Sequence, residues 1–501
     1  MRISSPSSSG QVQPGHLLLF TALAAMTLFG LKMMRKDASP GAAAEPLMVY
    51  CAASLKAPVE ALAKDYEQRY HTPVRLQFGP SQSLLASIEV SRTGDLYLPA
   101  DDSYFALAKA KQLVGTTLPI ATQRAVLMVA KGNPKGVKAL ADLQRADVRL
   151  ALSNPDAAAI GKLVREKLGQ TSWDALAKKA VLVAATVTEA ANAVKADGAD
   201  AAFIWDAMQK QYPEHVLVDL PETSGVKAQV GVGLLTCSKQ SAAAMKFARF
   251  LTAKDAGLPV FKKQGFEVAS GDPWAETPEL VLYAGSMLRP AIDQTVTDFE
   301  TQEGVRVTRV YNGCGILVGQ MKAGRVPDAY FACDNEFMNQ VQDRFTPRDE
   351  ISQNELVILV PTGNPRHVAS LRDLTQPGLR VGIGHEKQCA MGWLTQRTLA
   401  EGGIKDEVMK NVTVQTPTGD MLVNQMLAGS LDAAVTYLSN ALGAGDKLNA
   451  VRIQGLKCSV ATQPFAVAKD VTYRQLAERL HERLRSAGSK ERFTDVGFQW
   501  K

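Results

Sequence analysis

Cysteine is scarce: six residues in 501 cannot frame a disulfide-built miniprotein. Long apolar runs are scarcer still. Only one exists, between Leu17 and Met34, so the chain is not a polytopic membrane protein. No Gly-x-x-x-x-Gly-Lys loop occurs, so any ATPase that works with this protein is a separate chain. The six histidines are scattered, with no nucleophile triad or paired carboxylates beside them, and the expectation is a protein that is not an enzyme. Excess charge is small as well. Fifty-six Lys and Arg against 50 Asp and Glu leave +6, and no basic-plus-aromatic motif argues for nucleic acid. The basic stretch from Arg474 to Arg492 reads as a solvated helix. What the chain does have is an ordinary globular composition, 46% hydrophobic and 21% charged. Its length suits roughly two to four domains.

The one apolar run is followed by Lys36, with Lys32 interrupting it and Arg35 just beyond. It is near the ~17-residue lower limit of a spanning helix. It is slightly long for a signal-peptide core, which runs ~7–15 residues. Ala42-Ala43-Ala44 has the small residues of a cleavage site but begins eight positions beyond Met34. The reading is an uncleaved anchor at 17–34 within an N-terminal segment 1–45; a cleaved signal and a buried helix are the alternatives. The basic residues follow the run, opposite to the positive-inside pattern, but long downstream domains translocate despite such charges. An extracytoplasmic, periplasmic location, tethered to the cytoplasmic membrane, is therefore expected.

Internal similarity reorganises the rest of the chain. Met48-Val-Tyr-Cys-Ala-Ala-Ser54 aligns with Leu280-Val-Leu-Tyr-Ala-Gly-Ser286, and Phe78-Gly-Pro-Ser81 with Tyr311-Asn-Gly-Cys314. Asp95-Leu-Tyr-Leu-Pro-Ala-Asp101 aligns with Asp328-Ala-Tyr-Phe-Ala-Cys-Asp334, and Lys131-Gly-Asn-Pro134 with Thr362-Gly-Asn-Pro365. Asp200-Ala-Ala-Phe-Ile-Trp205 aligns with Asp432-Ala-Ala-Val-Thr-Tyr437, and Gln264-Gly-Phe266 with Val496-Gly-Phe498. All six pairs are separated by 231 to 233 positions, in order. The chain is read as a duplicated domain, 46–272 and 276–501, joined by the Gly/Pro-containing linker Ser270–Pro278.

Within each copy short apolar strands alternate with amphipathic helices. Strands are predicted at 47–50, 74–78, 96–98, 124–130, 149–152, 180–184 and 201–204, and helices at 59–70 and 83–90. This alternation predicts an α/β domain with mainly parallel sheets. Ligands of such sheets sit at the carboxyl ends of strands, against the free N–H groups of the next helices. Ser54 and Ser81 each occupy such a strand–Ser–helix junction, and both junctions recur in the second copy. Each serine either caps its own helix or faces a shared anion site.

Strand-Ala-Ala-Ser-Leu, then Phe-x-x-Ser, then Gly94-Asp-Leu-Tyr-Leu-Pro-Ala-Asp101 resembles the periplasmic molybdate-binding proteins of ABC importers. Asn154-Pro155-Asp156, the Lys131-Gly-Asn-Pro134 turn and the closing Lys263-Gln-Gly-Phe266 fit the same pattern. The resemblance covers nearly all of 46–269 and, more loosely, 278–499. It implies two tandem type II periplasmic-binding-protein domains, each of two hinged lobes, binding molybdate or tungstate with no cofactor. The implied partners are a membrane permease and its ATPase. The implied ligand donors are Ser54 and Ser81 from the first lobe, the backbone N–H groups at Ile160 and Val187 from the second, and Trp205 where the family has a tyrosine. The corresponding positions of the second copy are Ser286, Cys314, Met391, Gly419 and Tyr437. A dianion without protons suits donors alone, and helix N-termini add about half an elementary charge each.

Cys314, Cys333 and Cys389 fall near the second cleft, with His385 and Met391 close in sequence. They form either a soft-metal or thiol-reactive site, or small buried hydrophobes, or one disulfide plus a spare thiol. Cys51 and Cys237 read as core residues. An anchored anion sensor or buffering protein without transport is the other alternative to uptake.

Overall fold

The computed structural model describes residues 45–501. The anchor expected at 17–34 lies outside them. Among the described residues no helix is long and apolar enough to cross a membrane.

The first half is built on ten strands: β1 (Leu47–Ala52), β2 (Val74–Gly79), β3 (Leu96–Leu98), β4 (Val114–Val129), β5 (Leu150–Ser153), β6 (Leu182–Ala184), β7 (Ala201–Trp205), β8 (Val216–Val218), β9 (Lys227–Leu235) and β10 (Glu267–Val268). The order is β2-β1-β3-β9-β4-β7-β5-β6, with β8 and β10 also paired to β4. The alternation of strand and helix holds, but the sheet is mixed where mainly parallel pairing was expected. β1, β2 and β3 run parallel, as do β5, β6 and β7, while β4 and β9 run antiparallel to their neighbours. The reason is β4 itself. Val114 to Arg124 pair with β9, and Ala125 to Val129 pair with β7. One strand therefore threads both lobes, and β9 returns the chain to the first. A strand shared between lobes, with the chain crossing back to β9, is a hinge in the geometric sense.

The second half repeats this order with strands Glu279–Gly285, Arg306–Asn312, Ala329–Phe331, Asp349–Pro361, Val381–Gly384, Val412–Thr416, Ala433–Tyr437 and Val460–Val467. Small details repeat too. Asn133 and Asn364 both sit at positive φ, 51° and 46°, a conformation that asparagine tolerates well. Each side chain bonds the backbone N–H and C=O four residues on, at Val137 and Val368.

Arg149 grips Asp200 through Nε and Nη2 at 3.2 and 2.8 Å, and Arg380 grips Asp432 at 3.2 and 2.9 Å. These bonds hold the Asp432 carboxyl below the usual carboxylate range. A depressed folded pKa adds stability above the unfolded value and loses it as pH falls. Asp432→Asn should therefore flatten the loss of stability below about pH 4, read as urea midpoints across pH. An acid limb identical to that of the parent chain would contradict this.

The linker is packed rather than loose. Trp274 stands edge-on to Phe250 and donates Nε1–H to the Tyr70 hydroxyl at 2.7 Å. The Asp272 carboxylate accepts from the N–H groups of Gln475 and Leu476, at the start of helix Arg474–Leu484. Beneath the linker lies a buried ion cluster joining the halves. Arg479 makes a two-pronged contact to Glu303 at 3.0 and 2.9 Å, and Arg249 lies 3.9 Å from the same carboxylate while donating to the Glu303 backbone oxygen.

Candidate functional site

β1, β2, β5 and β7 end on the same side of the first domain, and their carboxyl ends converge on one small cavity. It has a volume of about 20 Å³ and is lined by Ser54, Ser81, Ile160, Val187 and Trp205 together with Ala52, Ala53, Gly79, Pro80, Ala100, Ala158, Ala159 and Thr186. All five residues singled out in this half thus surround one space, and no charged side chain is among the lining residues.

Neither serine caps a helix. Ser54 lies inside the short 3₁₀ turn Ala53–Leu55, and Ser81 is the first residue of helix Ser81–Ser91 behind Pro80. Neither turn has a side-chain cap. The Ser54 hydroxyl is buried and has no hydrogen-bond partner in the protein. A buried orphan of this kind needs an explanation, because it costs about 1–3 kcal/mol. The Ser81 hydroxyl accepts from the Ala100 N–H at 3.1 Å, which leaves its own hydrogen free to donate. Tyr97, donating its hydroxyl to the Ser81 backbone oxygen at 2.8 Å, fixes the start of that helix.

The opposite wall belongs to the second lobe. Helix Ala159–Leu168 begins at the end of β5, and a Cβ at Gly161 would collide with the Ser153 backbone oxygen. Only glycine lets that helix start so close to the strand. Helix Val187–Lys195 is fixed by a reciprocal box. Thr186 Oγ1 accepts from the Glu189 N–H at 3.1 Å, and the Glu189 carboxylate accepts from the N–H groups of Ala185 and Thr186. The first N–H groups of both helices have no partner within their own helix and carry its positive end. Trp205, wholly buried, closes the floor. The lobes touch across the cavity mouth, where the Gln82 N–H donates to the Ala157 oxygen at 3.2 Å.

Sequence reasoning missed Ala100 and Thr186. Thr186-Val-Thr-Glu189 carries the capping-box pattern that would have located the second helix start. Nothing local marks Ala100, whose backbone N–H reaches Ser81 from another loop.

In the second domain Ser286 opens the turn Ser286–Leu288, Cys314 opens helix Cys314–Lys322, and Met391 and Gly419 lie in the first turns of helices Ala390–Glu401 and Gly419–Leu427. The Gly315 N–H bonds the Gln388 oxygen across the lobes at 3.1 Å. A Cβ at Gly419 would collide with the Asn440 amide. The Tyr437 hydroxyl is buried without a partner, in the electrostatic neighbourhood of Cys333, Asp334, Cys389 and Cys314. Cys314 and Cys333 touch, with sulfurs 2.7 Å apart. Burial pushes the Cys389 thiol up to about 12. Its loop neighbour His385 instead accepts the Lys387 N–H through Nδ1. All six cysteines are free thiols. Among the described residues no group of three or more His, Cys, Asp or Glu is arranged to hold a metal.

The family model for bacterial extracellular solute-binding proteins matches this chain twice, at residues 47–267 and 280–499. The molybdate-binding protein ModA of Mycobacterium tuberculosis is 27% identical over 223 residues, covering 44% of this chain and 84% of its own. A putative binding protein of Haemophilus influenzae is 27% identical over 229 residues, covering 44% and 91%. Among solved structures, the periplasmic molybdate-binding protein of Azotobacter vinelandii covers 45% of this chain and 100% of its own, at 19% identity and a TM-score of 0.39. The chain belongs to the bacterial extracellular solute-binding proteins and carries two copies of their domain in tandem.

Proposed function

We propose that the first domain captures a tetrahedral, fully deprotonated dianion, molybdate or tungstate, outside the cytoplasm and passes it to the permease and ATPase of an ABC importer. The observation that carries this reading is the cavity itself. It offers only uncharged groups and the positive ends of three helices, those beginning at Ser81, Ala159 and Val187, and it holds a buried hydroxyl with no partner. Such a cleft satisfies a ligand that only accepts hydrogen bonds. A protonated phosphate would turn a serine hydroxyl from donor to acceptor and so lose a donated hydrogen bond, which contributes about 1.5–3 kcal/mol to a charged acceptor. The closed cavity is far smaller than the pockets that hold drug-sized organic solutes. The relatives named for molybdate binding support the same class of ligand. Bending at β4 and β9 would open the cleft to release it. In this reading Ser54, Ser81, Ile160, Val187 and Trp205 hold the anion, and Ser286, Cys314, Met391, Gly419 and Tyr437 are the diverged equivalents.

Titration calorimetry of the full chain with molybdate, tungstate, sulfate and phosphate tests this. Saturable binding of molybdate or tungstate, without phosphate binding, is the expected result. No lining side chain titrates near neutrality, and Asp101, next in sequence to the lining residue Ala100, is turned to Ser103. Molybdate affinity should therefore stay flat between about pH 6 and 8.5. A steep pH dependence would implicate a charged partner that the cavity lacks.

A further inference from the structure

The first-domain cavity and the equivalent place in the second domain differ at a set of three neighbouring positions. In the first, Ser81 Oγ accepts the Ala100 N–H. In the second, Cys314 stands for Ser81 and Cys333 for Ala100. The same backbone bond is kept, from the Cys333 N–H to Cys314 Sγ at 3.1 Å. The two side chains now meet sulfur to sulfur at 2.7 Å, longer than the ~2.05 Å of a disulfide bond and close enough to form one with a small rotation. The third position is Gly285, where the first domain has Ala53. Its backbone has φ −61° and ψ 136°, which any residue adopts, so glycine is not there for the turn. A Cβ at Gly285 would collide with Cys333 Sγ and lie 3.0 Å from Cys314 Sγ. The glycine makes room for the sulfur pair.

We propose that Cys314 and Cys333 form a reversible disulfide at the ligand position of the second cleft, and that this disulfide switches off oxyanion capture there. The switching half of the proposal rests on the oxyanion reading above; formation of the bond does not. The reaction is thiol–disulfide exchange with an external protein or small-molecule disulfide. One cysteine thiolate attacks it and displaces one external thiol, leaving a mixed disulfide. The second cysteine attacks that bond and releases the other external thiol. Two cysteine thiols are oxidised, and one external disulfide is reduced to two thiols. An extracytoplasmic compartment supplies such oxidants. In the reduced state the Cys314 S–H stands where the first cleft has a hydroxyl donor. In the oxidised state that hydrogen is gone, and two sulfur lone pairs face the anion instead. Both thiols are buried, and the hydrogen bond with Cys314 together with burial keeps Cys333 protonated, so exchange requires the lobes to open.

The full chain, treated with oxidised glutathione or with dithiothreitol, is digested without reduction and mapped by mass spectrometry, and each form is titrated with molybdate. A peptide joining Cys314 to Cys333 is expected in the oxidised form alone. The reduced chain should bind two equivalents and the oxidised chain one. Cys333→Ala, which restores the first domain's residue, should give no joined peptide after either treatment. Absence of the joined peptide overturns the proposal. So do equal equivalents in both states. A single equivalent in both leaves the first-domain reading standing, whereas none in either removes that reading as well.

Discussion

If the first domain captures molybdate as proposed, Ser54→Ala should weaken that binding roughly ten- to a hundredfold, to be read by calorimetry on the full chain. A hydrogen bond to a charged acceptor contributes about 1.5–3 kcal/mol, and each 1.4 kcal/mol is a factor of ten. The folded protein gives this hydroxyl no other partner. Thermal stability without ligand should accordingly stay level or rise slightly, because the substitution removes a buried orphan. Ser81→Ala behaves differently. It also strips the Ala100 N–H of its acceptor, so affinity and ligand-free stability fall together. The contrast separates a binding role from a structural one. Unchanged affinity in both variants would refute the assignment of this cavity.

Glu303→Ala should destabilise the chain by about 3–5 kcal/mol, the range for breaking a buried ion pair by removing one partner. Glu303 is 1% exposed and is the one carboxylate gripped by both Arg249 and Arg479. Without it two guanidinium groups remain buried side by side. Desolvation already pushes the Arg249 guanidinium down to about 10. The three residues come from helices Ser241–Thr252, Arg289–Glu303 and Arg474–Leu484, one in the first half and two in the second. Urea unfolding of the variant should therefore show a lower midpoint for both halves. A change below about 1 kcal/mol would mean that the cluster is weakly coupled to the join.

Much of this was legible in the chain. The duplication was visible because six short motifs recur at a nearly constant separation, and the strand ends that carry Ser54 and Ser81 were visible from the same motifs. The antiparallel course of β4 and β9 was not. Only the apolar end of β4, 124–130, reads as a strand; the polar-interrupted stretch Val114–Gln123 that pairs with β9 does not, and an apolar run carries no mark of strand direction. The ion cluster was equally hidden, since Arg249, Glu303 and Arg479 read singly as ordinary charged helix residues. Cys314 and Cys333 could be placed near one cleft from the repeat. Their contact depends on Gly285, whose role is space for sulfur and not a turn, and only coordinates show what a missing Cβ makes room for.

Crystals of the full chain grown with molybdate and measured at the molybdenum absorption edge test the central claim most directly. The account predicts an anomalous peak inside the first-domain cavity, within hydrogen-bonding reach of the Ser54 and Ser81 hydroxyls and the N–H groups that begin the helices at Ala159 and Val187. A peak bound elsewhere, or an empty cavity under saturating molybdate, would contradict it.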